Sequence, residues 1–230
     1  MTMPPLYHGH LIKRYKRFLA DIILDNNEII TAHVPNSGAM TSTIHEGCEV
    51  WVSYHNDPKR KLKYTLQLTD VGTGFICTNT NHANALILEA IHDRKIPQLC
   101  GYTSIKTEQK YGQNSRIDIL LSNETQRCYV EIKSVTLKID RSLAFPDAIT
   151  TRGTKHLHEL IRMKEEGYRA VMLYLAQRDD AKTFRIAQEI DPIYNKTLQE
   201  AIHKGVEVLV WQTTITTEAI TLSNELLLTL

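Results

Sequence analysis

Two acids and a lysine stand in neighbouring segments whose residues alternate in the manner of β-strands. Residues 129–135 read Tyr-Val-Glu-Ile-Lys-Ser-Val, so Glu131 and Lys133 share one face of the predicted strand. The upstream segment 115–121 carries Asp118 within an apolar run. If these two strands pair as a hairpin, Asp118 approaches Glu131 and Lys133. An acid and a lysine on a half-buried strand cost desolvation free energy, which indicates that they have a use.

The chemistry that these residue types support is metal-assisted hydrolysis of a phosphodiester. Two carboxylates can hold a hard divalent cation such as Mg²⁺ through oxygen, and a neighbouring lysine can orient a water or stabilise charge on a phosphate. Asp118 followed by Glu131-Ile132-Lys133 has the form of a PD-(D/E)XK site, with Ile117 where that motif often has proline. The spacing alone favours an edge strand with a solvated Glu–Lys pair, so the surrounding elements must decide.

The composition is that of an ordinary soluble globular protein with one large or two small domains. The 230 residues are 42% hydrophobic and 23% charged, and a net charge of +1 provides no overall basic field for nucleic acid. We expect buried free thiols at the widely spaced Cys48, Cys77, Cys100 and Cys128. No apolar signal core or membrane-length run is present, which predicts a cytoplasmic protein without a membrane partner.

Residues 1–80 have the pattern of a small all-β domain. Strands are predicted over residues 11–24, 28–34, 48–54, 61–71 and 75–79. Five short strands in this length favour an OB-fold-like barrel. A basic cluster on the first strand consists of Lys13, Arg14, Lys16 and Arg17, and a second spans residues 59–63. With Tyr15 and Trp51 as stacking faces these could bind a nucleic acid. Alternatively they are solvated strand ends, with Trp51 covered by the second domain.

Residues 81–230 alternate between helices and strands. Asn81 can cap a helix over residues 82–94, with Glu89 at the margin of its apolar stripe. Next come a strand over residues 102–111, the turn Gly112-Gln113-Asn114, and the strands of Asp118 and Glu131. Residues 138–152 read as a loop. The remaining elements are a helix over 154–166, a strand over 170–176, a helix from Asp191-Pro192 to residue 203 and a strand over 206–211.

This order predicts a restriction-endonuclease-like α/β fold with a mixed sheet. In that fold the first helix carries an acid, the second strand the Asp and the third strand the E-x-K. Glu89, Asp118, Glu131 and Lys133 fall in those places. We therefore predict Glu89, Asp118 and Glu131 as metal ligands and Lys133 as the group that orients the attacking water. Glu89 is alternatively a solvated residue on the flank of its helix.

Several segments spread along the chain form a recognisable set. They are residues 14–21 (Arg-Tyr-Lys-Arg-Phe-Leu-Ala-Asp), 35–40 (Pro-Asn-Ser-Gly-Ala-Met), 115–118, 130–136, and 145–157 with Phe-Pro-Asp-Ala and Thr-Arg-Gly. In these segments the chain resembles the sugar fermentation stimulation protein A family of bacteria and archaea. The resemblance implies an OB-fold followed by a PD-(D/E)XK domain, DNA binding without marked sequence preference, and a regulatory role in sugar (maltose) utilisation. Nuclease activity is suggested by the fold of the family.

The same segments contain further candidate residues. Asp147 is either a metal ligand or a cap for the turn before the helix, and we favour the cap. Arg152, Lys155 and His156 lie at a helix N-terminus, where the dipole favours phosphate, so we expect them to contact DNA. Asn36 and Ser37 either form a turn or face the seam between the domains, and we favour the turn.

Two hypotheses for the function follow. The first is a DNA-binding protein with a nuclease site that depends on Mg²⁺ or Mn²⁺. The second is a non-specific DNA-binding regulator of sugar metabolism that uses an inactive nuclease fold as a scaffold. A small-molecule enzyme is disfavoured, because the sequence has no glycine-rich nucleotide loop and no nucleophile motif.

Overall fold

The computed structural model describes residues 1–112 and 115–229 of the chain. The predicted turn Gly112-Gln113-Asn114 falls outside the described residues at Gln113 and Asn114. Within the described part, no helix is long and apolar enough to cross a membrane.

The N-terminal part forms a β-barrel. Its strands are β1 (Leu6–Tyr15), β2 (Leu19–Leu24), β3 (Ile29–His33), β4 (Glu49–Tyr54), β5 (Tyr64–Asp70) and β6 (Phe75–Cys77). β1 pairs with β2 and β4, β2 with β3, and β4 with β5, while a parallel pairing of β3 with β5 closes the barrel. Alternate residues such as Leu11, Ile22 and Val50 point inward and form its core. The predicted OB-fold-like barrel is therefore confirmed.

The first predicted strand, residues 11–24, is wrong as a single element. It is a hairpin, in which Tyr15 at the end of β1 pairs with Leu19 at the start of β2. The reversal places Lys16 and Arg17 at φ angles of 47° and 63°. Glycine, proline and asparagine, which usually mark such a turn, are missing from it. As a consequence, the basic cluster lies at an exposed hairpin tip.

The C-terminal part is built on a mixed sheet. Its elements are α1 (His82–His92), β7 (Ser104–Tyr111), β8 (Ser115–Ser122), β9 (Arg127–Val135), β10 (Leu137–Ile139), β11 (Ser142–Phe145), α2 (Thr151–Glu165), β12 (Arg169–Ala176), β13 (Thr183–Ile186), α3 (Pro192–His203), β14 (Glu207–Ile215), β15 (Ile220–Glu225) and β16 (Leu228–Thr229). The main sheet has the order β15-β14-β12-β9-β8-β7, with β9, β12 and β14 parallel. This confirms the restriction-endonuclease-like fold with a mixed sheet.

The two faces of the main sheet bury different partners. Val130 and Ile132 of β9 join a core with α1, and Tyr129 and Val135 join a core with α2 and α3. The alternation predicted for this strand is thus confirmed, and it directs Glu131 toward α2. Leu68 of the barrel belongs to the α1 core, so the two parts of the chain pack together. The division at residue 80 stays a prediction.

Three local features differ from the sequence interpretation. The predicted loop 138–152 contains β10 and β11, which join β13 and β16 in a second small sheet. Asn81 makes no side-chain cap bond, and Asn79 Oδ1 instead accepts a hydrogen bond from Asn81 N. Thr150 caps α2 by accepting from Gly153 N. The cap at Asp191 is confirmed, since its carboxylate accepts from Tyr194 N.

The free cysteines agree with the expected burial at three of four positions. Cys48, Cys77 and Cys128 are buried, and Cys100 is exposed. Burial raises the pKa of the Cys77 thiol to about 12 and that of Cys128 to about 11, so both stay protonated at neutral pH.

A polar network, the Arg178 network, ties the barrel to the C-terminal part. It consists of Ser42, Thr73, Lys138, Arg178 and Asp180. The Arg178 guanidinium is 2% exposed, contacts both Asp180 oxygens at 2.7 and 2.8 Å, and donates to Ser42 O at 2.9 Å. Lys138 Nζ and Thr73 Oγ1 each donate to Asp180 Oδ2 at 2.8 Å. Burial raises the pKa of Asp180, but these hydrogen bonds outweigh it and hold the pKa well below its usual range. The resulting stabilisation is present above pH about 4 and is lost as the pH falls.

Replacing Arg178 with methionine is expected to lower the free energy of unfolding by about 3 kcal/mol, because Asp180 then stays buried without its main partner. The control is Arg185→Met, which removes an exposed ion pair with Glu189 and should cost at most about 1 kcal/mol. Urea unfolding at neutral pH measures both. Equal losses of unfolding free energy in the two variants would show that the Arg178 network stabilises the fold no more than an exposed ion pair does.

Candidate metal centre

Asp118 meets β9 where the pairing of β8 with β9 ends. The ladder of paired residues runs from Ser122↔Arg127 to Ile119↔Val130, one residue short of Asp118. There, Asp118 Oδ2 accepts a hydrogen bond from Ile132 N at 2.7 Å, so this backbone N–H of β9 is paired with a side chain instead of a backbone carbonyl of β8. Asp118 Oδ1 accepts from Asn84 Nδ2 of α1 at 2.9 Å. These bonds fix the carboxylate beside Glu131.

Glu131 is a buried acid whose two oxygens have different surroundings. Its side chain is 2% exposed, and Oε1 accepts hydrogen bonds from Lys133 Nζ, at 2.7 Å, and from His156 Nδ1 of α2. Lys133 reaches this oxygen because it lies two residues along the same strand face. Oε2 has no hydrogen-bond partner among the described residues. Oε1 is therefore compensated by two donors, whereas Oε2 is buried without a hydrogen bond.

The bond partners of His156 indicate its tautomer. Arg152 Nε donates to His156 Nε2 at 3.4 Å, and arginine can only donate. Nε2 therefore accepts this bond. Nδ1 faces Glu131 Oε1, and an ionised carboxylate can only accept, so Nδ1 carries the proton of that bond, while Lys133 Nζ lies 3.1 Å from the same nitrogen. His156 is 7% exposed and its ring contacts Glu131 and Arg152, so we do not assign it a contact with DNA. Its position holds Glu131 in place.

The two carboxylates differ in their proton affinity. Burial raises the pKa of Asp118, and repulsion from Glu131 raises it further. Burial also raises the pKa of Glu131, but the hydrogen bond from His156 and the charge of Lys133 outweigh it and leave that pKa below its usual value. The Tyr111 hydroxyl is a further buried oxygen without a partner in the described part of the chain. A pair of carboxylates with an unsatisfied oxygen fits a hard divalent cation.

Glu89 is not brought to this cluster, which corrects the predicted ligand set. Its carboxylate is 45% exposed and pairs with the Met1 amine at 2.8 Å. The residue of α1 that reaches Asp118 is Asn84, which lies five positions earlier, about 140° around the helix. The helical periodicity identified the buried stripe but could not say which residue beside it faces Asp118.

A cavity of about 420 Å³, the seam pocket, opens between the barrel and the main sheet beside Lys133. Its wall includes Arg17, residues 36–38, Thr80, Ala83, Asn84, residues 132–134 and residues 145–150. Asn36 Oδ1 accepts from Gly38 N, which confirms the predicted turn, and Asn36 and Ser37 also face the seam. Both sequence interpretations of this segment therefore hold.

Two residues of the predicted set shape the seam pocket. Arg14 donates to the carbonyl oxygens of Asn36, Gly38 and Ala39 at 2.9–3.1 Å, so it holds this turn and is not free for DNA. Asp147 does not cap the helix, because Thr150 does. It packs against Gly38, where an added Cβ would lie 1.9 Å from Asp147 Oδ2. A side chain at position 38 would therefore displace the Asp147 carboxylate from its present place.

The remaining residues predicted to contact DNA are exposed. Lys16 and Arg17 lie at the hairpin tip, and Arg152 and Lys155 lie in the first two turns of α2. Lys13 is 58% exposed, with its amine 3.7 Å from an Asp21 oxygen. Phe18, which no sequence motif indicates as a DNA contact, is 45% exposed at the same tip. Trp51 instead lies half-buried, with its ring 4.9 Å from those of His8 and Phe75, so it is not a free stacking face.

Fold and site together define a two-domain protein, an OB barrel followed by a restriction-endonuclease-like domain with two acids and a lysine at its sheet. The chain belongs to the sugar fermentation stimulation protein family. Residues 12–78 match the model of the SfsA N-terminal OB domain, and residues 81–219 match that of the sugar fermentation stimulation protein RE domain.

Similar proteins cover nearly the whole chain. A homologue from Rhodospirillum rubrum is 50% identical over 216 residues, covering 89% of this chain and 88% of its own length. One from Geotalea uraniireducens is 44% identical and covers 98% of both chains. The solved structure of Pyrococcus furiosus SfsA in complex with Ca²⁺ has a TM-score of 0.90 at 24% identity, covering 100% of this chain and 98% of that one.

Replacing His156 with leucine is expected to lower the free energy of unfolding by about 2 kcal/mol at neutral pH, because a buried carboxylate loses a hydrogen bond. The pKa of Glu131 is lower in the folded chain than in the unfolded chain, so the ionised carboxylate stabilises the fold at neutral pH and this stabilisation is lost as the pH falls. The difference in unfolding free energy between wild type and variant should therefore shrink below pH about 4. Urea unfolding across pH measures this. His158→Leu, at an exposed position of α2, serves as control and should change little. A pH-independent loss would argue against the bond to Glu131.

Proposed function

We propose that this protein binds DNA and hydrolyses its phosphodiester bonds with a divalent cation, Mg²⁺ or Mn²⁺. The observation that supports this most is Glu131 Oε2, a buried oxygen with no partner in the described residues, beside the Asp118 carboxylate. Leaving a buried carboxylate oxygen unpaired is costly, and a hard cation relieves both this cost and the repulsion between the two acids. Asp118 and Glu131 are the proposed ligands, and Glu89 is left out.

The nature of the cation is supported by the donor set. Both proposed ligands offer oxygen, which suits Mg²⁺, Mn²⁺ and Ca²⁺. The similar Pyrococcus furiosus protein was solved in complex with Ca²⁺, which takes the same kind of donor. When bound, Mg²⁺ would supply Lewis-acid stabilisation of the charge that develops on the phosphate.

We assign to Lys133 the role of orienting the attacking water. Its ammonium donates to Glu131 Oε1 at 2.7 Å, which leaves further N–H groups for a water or a phosphate oxygen. The side chain is 14% exposed and lines the seam pocket, so it meets whatever enters there. His156 and Arg152 act through Glu131, by fixing the oxygen that Lys133 also contacts.

The DNA backbone would lie along the seam pocket. Arg17 lines it from the barrel, and the first turn of α2, with its positive dipole end, approaches from the other side. We assign phosphate contacts to Lys13, Lys16, Arg17, Arg152 and Lys155, and a stacking contact to Phe18. Contacts to phosphate carry no sequence information, which agrees with binding that does not depend on sequence.

A second candidate function is a non-specific DNA-binding regulator of sugar (maltose) metabolism on an inactive nuclease scaffold. The observation that favours it is Asn84, since α1 brings an amide to Asp118 where an acid was predicted. Such a protein would bind DNA equally well with and without the cation.

Lys133→Met and Asp118→Asn are each expected to lower the rate of metal-dependent DNA cleavage by about 100-fold or more, because they remove the water-orienting group and a ligand. Lys106→Met, at an exposed lysine on β7 of the same sheet, is the control. Labelled single- and double-stranded DNA is incubated with Mg²⁺, Mn²⁺ or chelator, and binding is measured in parallel. DNA that is retarded but uncut under every condition supports the regulator instead.

The double variant Lys16→Ala/Arg17→Ala is expected to reduce the slope of log affinity against log salt by about 1.8 for double-stranded DNA, since two phosphate contacts are lost. Arg162→Ala/Lys204→Ala is the matched control, because these exposed cations lie at the other end of α2 in ion pairs with Glu166 and Glu165. Fluorescence anisotropy over a salt series gives both slopes. An unchanged slope in the Lys16→Ala/Arg17→Ala variant would show that the hairpin tip does not contact the DNA phosphates.

A further inference from the structure

Apart from the seam pocket, three metal-ligating side chains meet on the outer face of the barrel. These are His8, His10 and Glu49, which we call the barrel triad. One ligand atom from each lies within 4.8 Å of the others. His8 and His10 are two residues apart on β1 and so point to the same face, while Gly9 between them is buried. Glu49 of β4 stands opposite His10 in the ladder.

Asp25 fixes the orientation of the His8 ring. Its Nδ1 lies 2.8 and 3.0 Å from the two carboxylate oxygens of Asp25. A carboxylate accepts, so Nδ1 carries the proton and the lone pair of Nε2 is left for a ligand. Histidines that bind metals commonly donate their other ring N–H to a carboxylate in this way, which fixes the orientation of the imidazole.

The donor set selects the kind of metal. Two imidazoles and one carboxylate favour first-row transition metals such as Ni²⁺ or Zn²⁺, whereas Mg²⁺ and Ca²⁺ prefer sites made only of oxygen. We propose that the barrel triad binds one divalent transition-metal ion through His8 Nε2, a His10 ring nitrogen and the Glu49 carboxylate. Water would complete the coordination, because His10 and Glu49 are exposed. This site is separate from Asp118 and Glu131 in both position and chemistry.

The surroundings of the barrel triad keep its geometry fixed. All three ligands stand on paired strands, which limits the ordering that binding must impose. The Trp51 ring lies 4.9 Å from the His8 ring and is backed by Phe75, so it forms an apolar wall on one side. Trp51 is one of two tryptophans in the chain, and this closeness makes its fluorescence a reporter of a paramagnetic ion at the barrel triad.

The test titrates the full chain with Ni²⁺ in millimolar Mg²⁺, followed by calorimetry and by tryptophan fluorescence. We expect one Ni²⁺ per chain and quenching of the fluorescence. His10→Ala and Glu49→Gln should each weaken Ni²⁺ binding by about 10-fold or more and reduce the quenching. Asp25→Asn should weaken Ni²⁺ binding by about 10- to 100-fold. His45→Ala, at an exposed histidine outside the barrel triad, should leave both readouts unchanged.

Two results would overturn the proposal. One is the absence of stoichiometric Ni²⁺ binding to the wild-type chain. The other is binding that His10→Ala and Glu49→Gln leave as tight as before. Urea unfolding of the metal-free variants shows whether they are folded, and these exposed positions should cost little stability. Lys133→Met should bind Ni²⁺ like the wild type, which separates this site from the proposed nuclease centre.

Discussion

An ionised carboxylate buried in a protein core needs hydrogen-bond donors or positive charge to offset the loss of its hydration. Glu131 is only 2% exposed, so the elements of the C-terminal part must bring such partners to it. Lys133 supplies one partner from the same strand, but the other, His156, comes from α2. The helix must therefore cross β9 at this level, and its cap at Thr150 and the contact from Arg152 keep His156 in register. The arrangement that stabilises Glu131 Oε1 is also the one that leaves Oε2 without a partner in the described residues.

The parts of the structure that follow from periodicity were predictable. Alternation in residues 129–135 predicts Glu131 and Lys133 on one face, and the two side chains lie there in hydrogen-bond contact. The apolar run over residues 170–176 indicated a strand covered on both sides, and β12 lies in the centre of the main sheet. Asp191-Pro192 marked the start of α3, because capping is decided by residues within one turn.

What could not be predicted depends on contacts between distant segments. Asn84 and Glu89 are both plausible neighbours of the buried stripe of α1, and only the packing of α1 on the sheet selects Asn84 for Asp118. Asp147 reads as a local cap, yet it closes against Gly38, more than 100 residues away in sequence. His8, His10 and Glu49 form no sequence motif, because they meet across the pairing of β1 with β4. The hairpin at Lys16 was missed because it lacks the usual turn residues.

The Arg178 network has a consequence for the deformability of any DNA at the seam. Ser42 of the barrel accepts a hydrogen bond from Arg178 of the C-terminal part, and Thr73 of the barrel donates one to Asp180. Both domains also share the apolar core around α1. A seam held by these bonds has its width set when the chain folds, so DNA that bound there, as proposed, would have to do the bending. Bending costs least at flexible pyrimidine–purine steps. A protein that touches only phosphates would then still favour some sequences over others, through the stiffness of the double helix.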